Sequence, residues 1–293
     1  MIKLKSWWLA IRPKTLPASI SPIILGTALA YQSGYYHGLI FALALVCALF
    51  LQIAVNLAND YFDARSGVDT KDRLGPVRVS QSGLISPAAV KLALIVVSIL
   101  AIVSGVALAW LSSWWLLAFG GAAVLAVFIY SGSPWPLASN ALGEITVFFF
   151  FGWLAVGGTY FSLSNAISLH ILGFGTVAGL LSAAIMLVNN IRDIPTDSAA
   201  GKHTLAVILG DHKARMTYRV LLLLAMIVHL VVSFPHGLVA VIPLIFIAPL
   251  FRKLWLGITR LEGRQLNLLL AQTAKFELFY CILVSLFFVI LAA

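Results

Sequence analysis

Nine stretches of this 293-residue chain are each apolar for about 20 residues, the length a helix needs to cross the hydrocarbon of a bilayer. They run approximately over 15–33, 38–59, 88–110, 113–131, 141–161, 166–190, 216–234, 237–255 and 271–291. The sequence therefore predicts an all-α membrane protein of nine transmembrane helices, with residues 1–293 forming a single transmembrane domain. Composition agrees. Hydrophobic residues make up 61% of the chain and charged residues 10%, where a soluble domain carries about a quarter charged residues. The mean hydropathy is +1.03.

The first span follows Lys3, Lys5, Arg12 and Lys14 and contains Ala28-Leu-Ala30, which is also the pattern of a cleavable signal peptide. Pro17 and Pro22 within it, and the many spans after it, favour an uncleaved first helix. All 19 Lys and Arg fall at the N-terminus or in and beside the connections near 60–91, 191–219 and 252–275. That bias predicts a cytoplasmic N-terminus and an outer C-terminus. The net charge of +9 is thus a topology signal, and with no soluble module to carry it nucleic acid is not an expected partner. Cys47 and Cys281 lie inside apolar spans and give no disulfide framework or thiolate metal site.

Seven of the ten acidic residues fall in or just after two short clusters. One reads Asn56-Leu-Ala-Asn59-Asp60-Tyr-Phe-Asp63 and continues past Gly67, Asp69 and Lys71 to Asp72. The other reads Asn189-Asn-Ile-Arg-Asp193-Ile-Pro-Thr-Asp197 and runs on to Gly201, with Asp211 beyond. Carboxylates crowded at the end of a membrane helix repel one another and desolvate badly, so they persist where a cation or a cationic partner holds them. The clusters also form an internal repeat at the ends of the second and sixth spans, which suggests two related four-helix halves plus a ninth helix. Both fall on the cytoplasmic side and can face one cavity. Residues four apart share a helix face, so Asn56 projects with Asp60 and Asn189 with Asp193. Pro195 is expected to disturb the helix before Asp197.

Magnesium takes hard oxygen ligands and commonly binds through one or two carboxylates plus phosphate oxygens and water. Two separated aspartate clusters would hold a diphosphate between magnesium ions, and Arg65, Lys71, Arg73, Arg78 and Lys202 offer positive charge to a departing diphosphate. For Arg65 and Lys71 ordinary loop charge is an equal reading. An ion-coupled carrier would also use intramembrane carboxylates, but here the acids gather at one interface and form no chain through the midplane. A phospholipid-type phosphotransferase signature would place a Gly where Ala64 stands and its partner acids in the same stretch. The six histidines show no ligand spacing, and His203, beside the second motif, reads as a surface residue.

These motifs, with Arg12-Pro-Lys-Thr-Leu-Pro17, Asp72-Arg73-Leu-Gly-Pro-Val-Arg78 and Gly201-Lys202-His-Thr204, resemble the UbiA-type intramembrane aromatic prenyltransferases over nearly the whole chain. Within that superfamily the pattern is most similar to the branch that prenylates 1,4-dihydroxy-2-naphthoate in menaquinone biosynthesis. The resemblance implies a helix bundle around a central cavity open to lipid, in the bacterial inner (cytoplasmic) membrane. It implies Mg2+ held by Asp60, Asp63, Asp193 and Asp197, with Asn56 and Asn189 supporting diphosphate and metal. It also implies that Lys202, Arg73 and Arg78 contact the diphosphate, that Tyr130 lies near the reacting centre, and that Arg12, Lys14 and Glu144 bind substrate. The implied partners are a polyprenyl diphosphate, an aromatic acid acceptor and the lipid bilayer. Acceptors such as 4-hydroxybenzoate or homogentisate would use the same diphosphate machinery. Where relatives carry Pro-Tyr-Gly-Tyr or similar, this chain has Pro134-Trp-Pro-Leu-Ala-Ser-Asn140, so the acceptor end departs most. The expected chemistry is ionisation of the prenyl carbon–oxygen bond, capture of the cation by the ring at its carboxyl-bearing carbon, and loss of CO2 to give a demethylmenaquinone. Tyr130 would stabilise the cation through its ring or simply pack at the interface.

Overall fold

The computed structural model describes residues 2–66 and 74–292, and among these there are helices and connecting turns but no strand. The helices are α1 (Ile2–Ile11), α2 (Leu16–Gln32), α3 (Gly38–Ser66), α4 (Pro87–Leu111) and α5 (Leu116–Gly132). α6 (Gly143–Val147) and α7 (Gly158–Ser164) are joined by π-helical turns over Phe148–Gly157 into one rod. There follow α8 (Leu169–Ala199), α9 (Leu205–Ser233), α10 (Ile242–Arg260) and α11 (Leu266–Ala292). Gly67, Asp69, Lys71, Asp72 and Arg73, all named above, lie outside the described residues.

Among the described residues, six helical stretches are long and apolar enough to cross a membrane, namely Gly38–Arg65, Pro87–Leu111, Gly143–Ser164, Leu169–Ala199, Leu205–Arg260 and Gly263–Ala292. The stretch Leu205–Arg260 contains α9 and α10, joined by a tight 3₁₀ segment, and α5 is a shorter apolar helix. The chain is thus an all-helical, multi-pass membrane protein. Short polar side chains set several helix starts. Ser86, Ser168 and Thr204 accept the backbone N–H of Ala89, Ile171 and Val207, three residues on, and so satisfy donors that a helix N-terminus leaves unpaired.

α8 is the axis. It is buried along most of its apolar stretch, whereas α3 and α4 bury only a minor part of theirs. Leu92, Ile99, Val103 and Trp110 on α4 are among the exposed apolar side chains, as expected of a face turned to lipid. Without a hydrophobic force between helices, close packing depends on small residues that let backbones approach. Gly152 and Gly179 make such a crossing between the 143–164 rod and α8. A Cβ on Gly179 would stand 2.7 Å from the Phe148 carbonyl oxygen, and one on Gly152 would stand 2.5 Å from the Gly175 carbonyl oxygen. Because backbone atoms cannot swing aside, Gly179→Val should lower stability by about 1–3 kcal/mol, read as earlier thermal aggregation in detergent. α8 and α11 are linked through the membrane interior by a 2.6 Å bond from the Ser182 hydroxyl to the fully buried Glu277 carboxylate.

Two departures from the sequence reading bear on the site. α3 and α8 run past the predicted span ends, so the motifs lie on helix as far as Ser66 and Ala199. Pro195 does not end α8. The Thr196 hydroxyl bonds the Asp193 carbonyl at 3.0 Å, and only one turn follows the proline, so the strain it adds is small enough to be carried. Asp193 and Asp197 consequently share an unbroken helical face.

Candidate active site

The C-terminal turns of α3 and α8 meet over one polar pocket, closed by the end of α5, the 74–86 loop and the turn at 200–204. Asn59 and Asp63 reach it from α3, Tyr130 and Ser131 from α5, Asn189, Asn190, Asp193 and Asp197 from α8, and Arg78 and Lys202 from the connections. Thus the two distant motifs converge.

Each pocket carboxylate faces a cation. Arg78 pairs with Asp63 at 2.5 Å, Arg192 with Asp193 at 2.5 Å and Lys202 with Asp197 at 3.2 Å. Arg192 stands behind the pocket and is only 2% exposed. Its guanidinium donates to both Asp193 oxygens, to the Asn189 side-chain oxygen and to Asn267 on α11. A fork of this kind fixes direction as well as charge, so the second motif is oriented before any ligand arrives.

Asp60 lies behind the pocket, not in its lining. It is 2% exposed, and its two oxygens accept the backbone N–H groups of Val79 and Ser80, both at 2.9 Å. It thereby pins the residues that follow Arg78 against α3. Asn56 is engaged with the corner between α1 and α2, donating to the Ile11 carbonyl at 2.8 Å and the Thr15 hydroxyl at 3.0 Å. Buried Glu144 accepts the Asn190 side-chain amide at 2.8 Å and so supports the pocket from the rear. Arg73 lies outside the described residues. His203 is exposed, and its backbone N–H bonds the Ser139 carbonyl at 2.8 Å, which ties the Lys202 turn to the 137–139 segment.

The pocket opens into a second, larger cavity of about 360 Å³ bounded by α2, α3, α4, α5, the 143–164 rod, α8 and α11. Its walls are mostly apolar, with Ile23, Leu51, Leu108, Phe119, Phe150 and Leu154 among them, and Arg12 and Lys14 at one corner. Asn59, Arg78, Tyr130, Met186 and Asn189 line both spaces and so mark the junction. There the Tyr130 hydroxyl donates to the Met186 sulfur at 3.4 Å. The sequence reading did not single out Asn59, Ser131, Met186, Asn190 or Arg192. Arg192, an arginine inside an acidic motif on a membrane helix, was the one with a signal to find.

A polar, charge-paired pocket joined to an apolar cavity inside a membrane-embedded helical bundle is the architecture of a membrane enzyme. The chain belongs to the UbiA prenyltransferase family, whose profile matches residues 19–276. It is 40% identical over 236 residues to 1,4-dihydroxy-2-naphthoate octaprenyltransferase of Haemophilus influenzae, covering 78% of this chain and 77% of that one. It is also 40% identical over 225 residues to the Escherichia coli protein of the same name, covering 75% and 73%. Among solved structures, a UbiA homolog from Aeropyrum pernix superposes with a TM-score of 0.70 at 17% identity, covering 96% of this chain and 98% of that one. A UbiA homolog from Archaeoglobus fulgidus bound to GPP and Mg2+ superposes with a TM-score of 0.69 at 19% identity, covering 97% and 99%. The protein is a prenyltransferase.

Proposed function

We propose that this enzyme transfers a polyprenyl group from a polyprenyl diphosphate to 1,4-dihydroxy-2-naphthoate, with loss of the acceptor's carboxyl group as CO2. The observation that carries the reading is the convergence of both acidic motifs on one polar pocket that continues into an apolar cavity, the same two-part character as the donor. The acceptor follows the relatives' names, at 40% identity over most of both chains.

The donor set suits magnesium. Asp63, Asp193 and Asp197 bring hard carboxylate oxygens from two helices to one space and would hold the ion together with phosphate oxygens and water. Bound magnesium supplies positive charge to the leaving diphosphate. Arg78 and Lys202 turn from their carboxylates to phosphate oxygens, so each desolvated cation exchanges one anion for another. Asp60 keeps the Arg78 loop in register during that exchange.

The allylic carbon–oxygen bond breaks with its electron pair going to the diphosphate. Tyr130, at the junction, presents its ring to the cation, and the apolar walls keep water from it. The carboxyl-bearing ring carbon supplies the pair for the new carbon–carbon bond, and departure of CO2 returns a pair to the ring. Nothing is oxidised, so the product forms at the quinol level, a demethylmenaquinol, and the demethylmenaquinone expected from the sequence would follow by a separate two-electron oxidation.

In the bilayer, α2, α3, α4, α5, the 143–164 rod, α8, α9, α10 and α11 make nine crossings, with residues 1–293 as one domain. The bias of Lys and Arg toward the basic connections supports an orientation with the N-terminus and both motifs on the cytoplasmic side of a bacterial cytoplasmic membrane and the C-terminus outside. The deciding experiment incubates purified protein with Mg2+, a polyprenyl diphosphate and carboxyl-labelled dihydroxynaphthoate or 4-hydroxybenzoate. Label released as CO2 in step with prenylated naphthoquinol is the expected result. Faster prenylation of hydroxybenzoate, with its carboxyl retained, would overturn the acceptor assignment.

A further inference from the structure

The large cavity has one corner whose chemistry a hydrocarbon chain does not need. There the Thr15 hydroxyl donates to the Arg12 carbonyl at 2.9 Å, and Asn56 Nδ2 donates to the Ile11 carbonyl at 2.8 Å. A carbonyl can only accept, so the Asn56 amide is held with its nitrogen toward Ile11 and its oxygen away. That oxygen takes Gln52 Nε2 at 3.4 Å, and the same nitrogen reaches the Thr15 hydroxyl oxygen at 3.3 Å. Each assignment forces the next. The series ends on Gln52 Oε1, which has no hydrogen-bond partner among the described residues although Gln52 is only 8% exposed.

Buried polar atoms are nearly always paired, and leaving one unpaired is costly. Gln52 lines the cavity together with Arg12 and Lys14. Arg12 sits in the left-handed region, with φ 54°, a conformation that a residue with a side chain adopts only when its surroundings hold it there. The Thr15 backbone N–H and hydroxyl, both bonded to the Arg12 carbonyl, do so. The corner therefore joins a fixed hydrogen-bond acceptor to two cations at the edge of an apolar space.

We propose that this corner is the subsite for the aromatic acceptor, in which Gln52 Oε1 receives a ring hydroxyl and Arg12 and Lys14 face the carboxylate. The inference rests on the prenyl-transfer reading and assigns the residue that recognises the hydroxyl. A hydrogen bond from that hydroxyl also leaves more electron density on the ring that attacks the cation.

The test compares wild type with Gln52→Leu in full-length protein with Mg2+ and a polyprenyl diphosphate. The acceptors are 1,4-dihydroxy-2-naphthoate and its two monohydroxy analogues, each lacking one hydroxyl. In Gln52→Leu the KM for the diol should rise about fivefold to tenfold, with the KM for the prenyl diphosphate unchanged. Wild type should prefer the diol to one of the analogues, and Gln52→Leu should lose that preference. Gln52→Met, of matching length, makes the same comparison if the leucine variant does not fold. Unchanged discrimination in an active variant overturns the assignment, as does a KM rise confined to the prenyl diphosphate. A wild type that prenylates no hydroxynaphthoate instead removes the prenyl-transfer reading, and this subsite with it.

Discussion

Alanine at position 193 is expected to lower prenyl transfer by about a thousandfold or more, the scale of losing a group that organises charge at a reacting centre. Asp193 is both a pocket carboxylate and the main partner of Arg192, which donates to both of its oxygens. Its removal takes from the pocket a carboxylate proposed to hold magnesium and strands a buried guanidinium, which by itself costs several kcal/mol. Asp193→Asn separates the two effects in part, because the amide oxygen keeps one of the two Arg192 hydrogen bonds while the negative charge is gone. Initial rates at saturating donor, with elution volume as a check on folding, should show both variants inactive and the asparagine variant well folded. Near-normal turnover by the purified alanine variant would remove the two-motif mechanism.

Chelation should have an effect of similar size and should be reversible. Asp63, Asp193 and Asp197 reach one space from two helices and suit a metal that shares its coordination with the diphosphate. Transfer measured after thorough treatment with a chelator should fall to background, and added Mg2+ should restore it. Calcium should restore less, because its longer, looser coordination fits the compact diphosphate site poorly. Turnover that persists after chelation would give these acids another role, with Arg78 and Lys202 left as the pocket's cations toward the diphosphate among the described residues.

The helices were legible because the hydrocarbon imposes them. A run of about 20 apolar residues has few alternatives to a helix, and the turn residues between the runs did not need to be read in detail. The convergence of the motifs was legible too, since the clusters close spans separated by an even count, so that both lie at the same end of the bundle. Asp60 was not. A carboxylate at helical spacing from Asn56 reads the same whether it faces a ligand or two backbone N–H groups of a loop about 20 residues away. Gln52 lay beyond reach for a related reason. Its meaning arises from a series of donors and acceptors running through Ile11, Thr15 and Asn56, and no spacing in the chain announces it. Pro195 shows the opposite error, a local rule applied where one remaining turn and the Thr196 hydroxyl made the exception cheap.

The charge pairing in the pocket carries a kinetic consequence. Asp63, Asp193 and Asp197 are each countered by an arginine or lysine of the protein, so a lone metal ion would have to displace those cations with no anion to receive them. A diphosphate arriving alone would meet carboxylates still in place and repel them. Under the proposed reading the exchange is balanced when ion and prenyl donor enter as one complex, so the chelated donor would be the substrate and the metal would leave with its pyrophosphate at the end of each cycle.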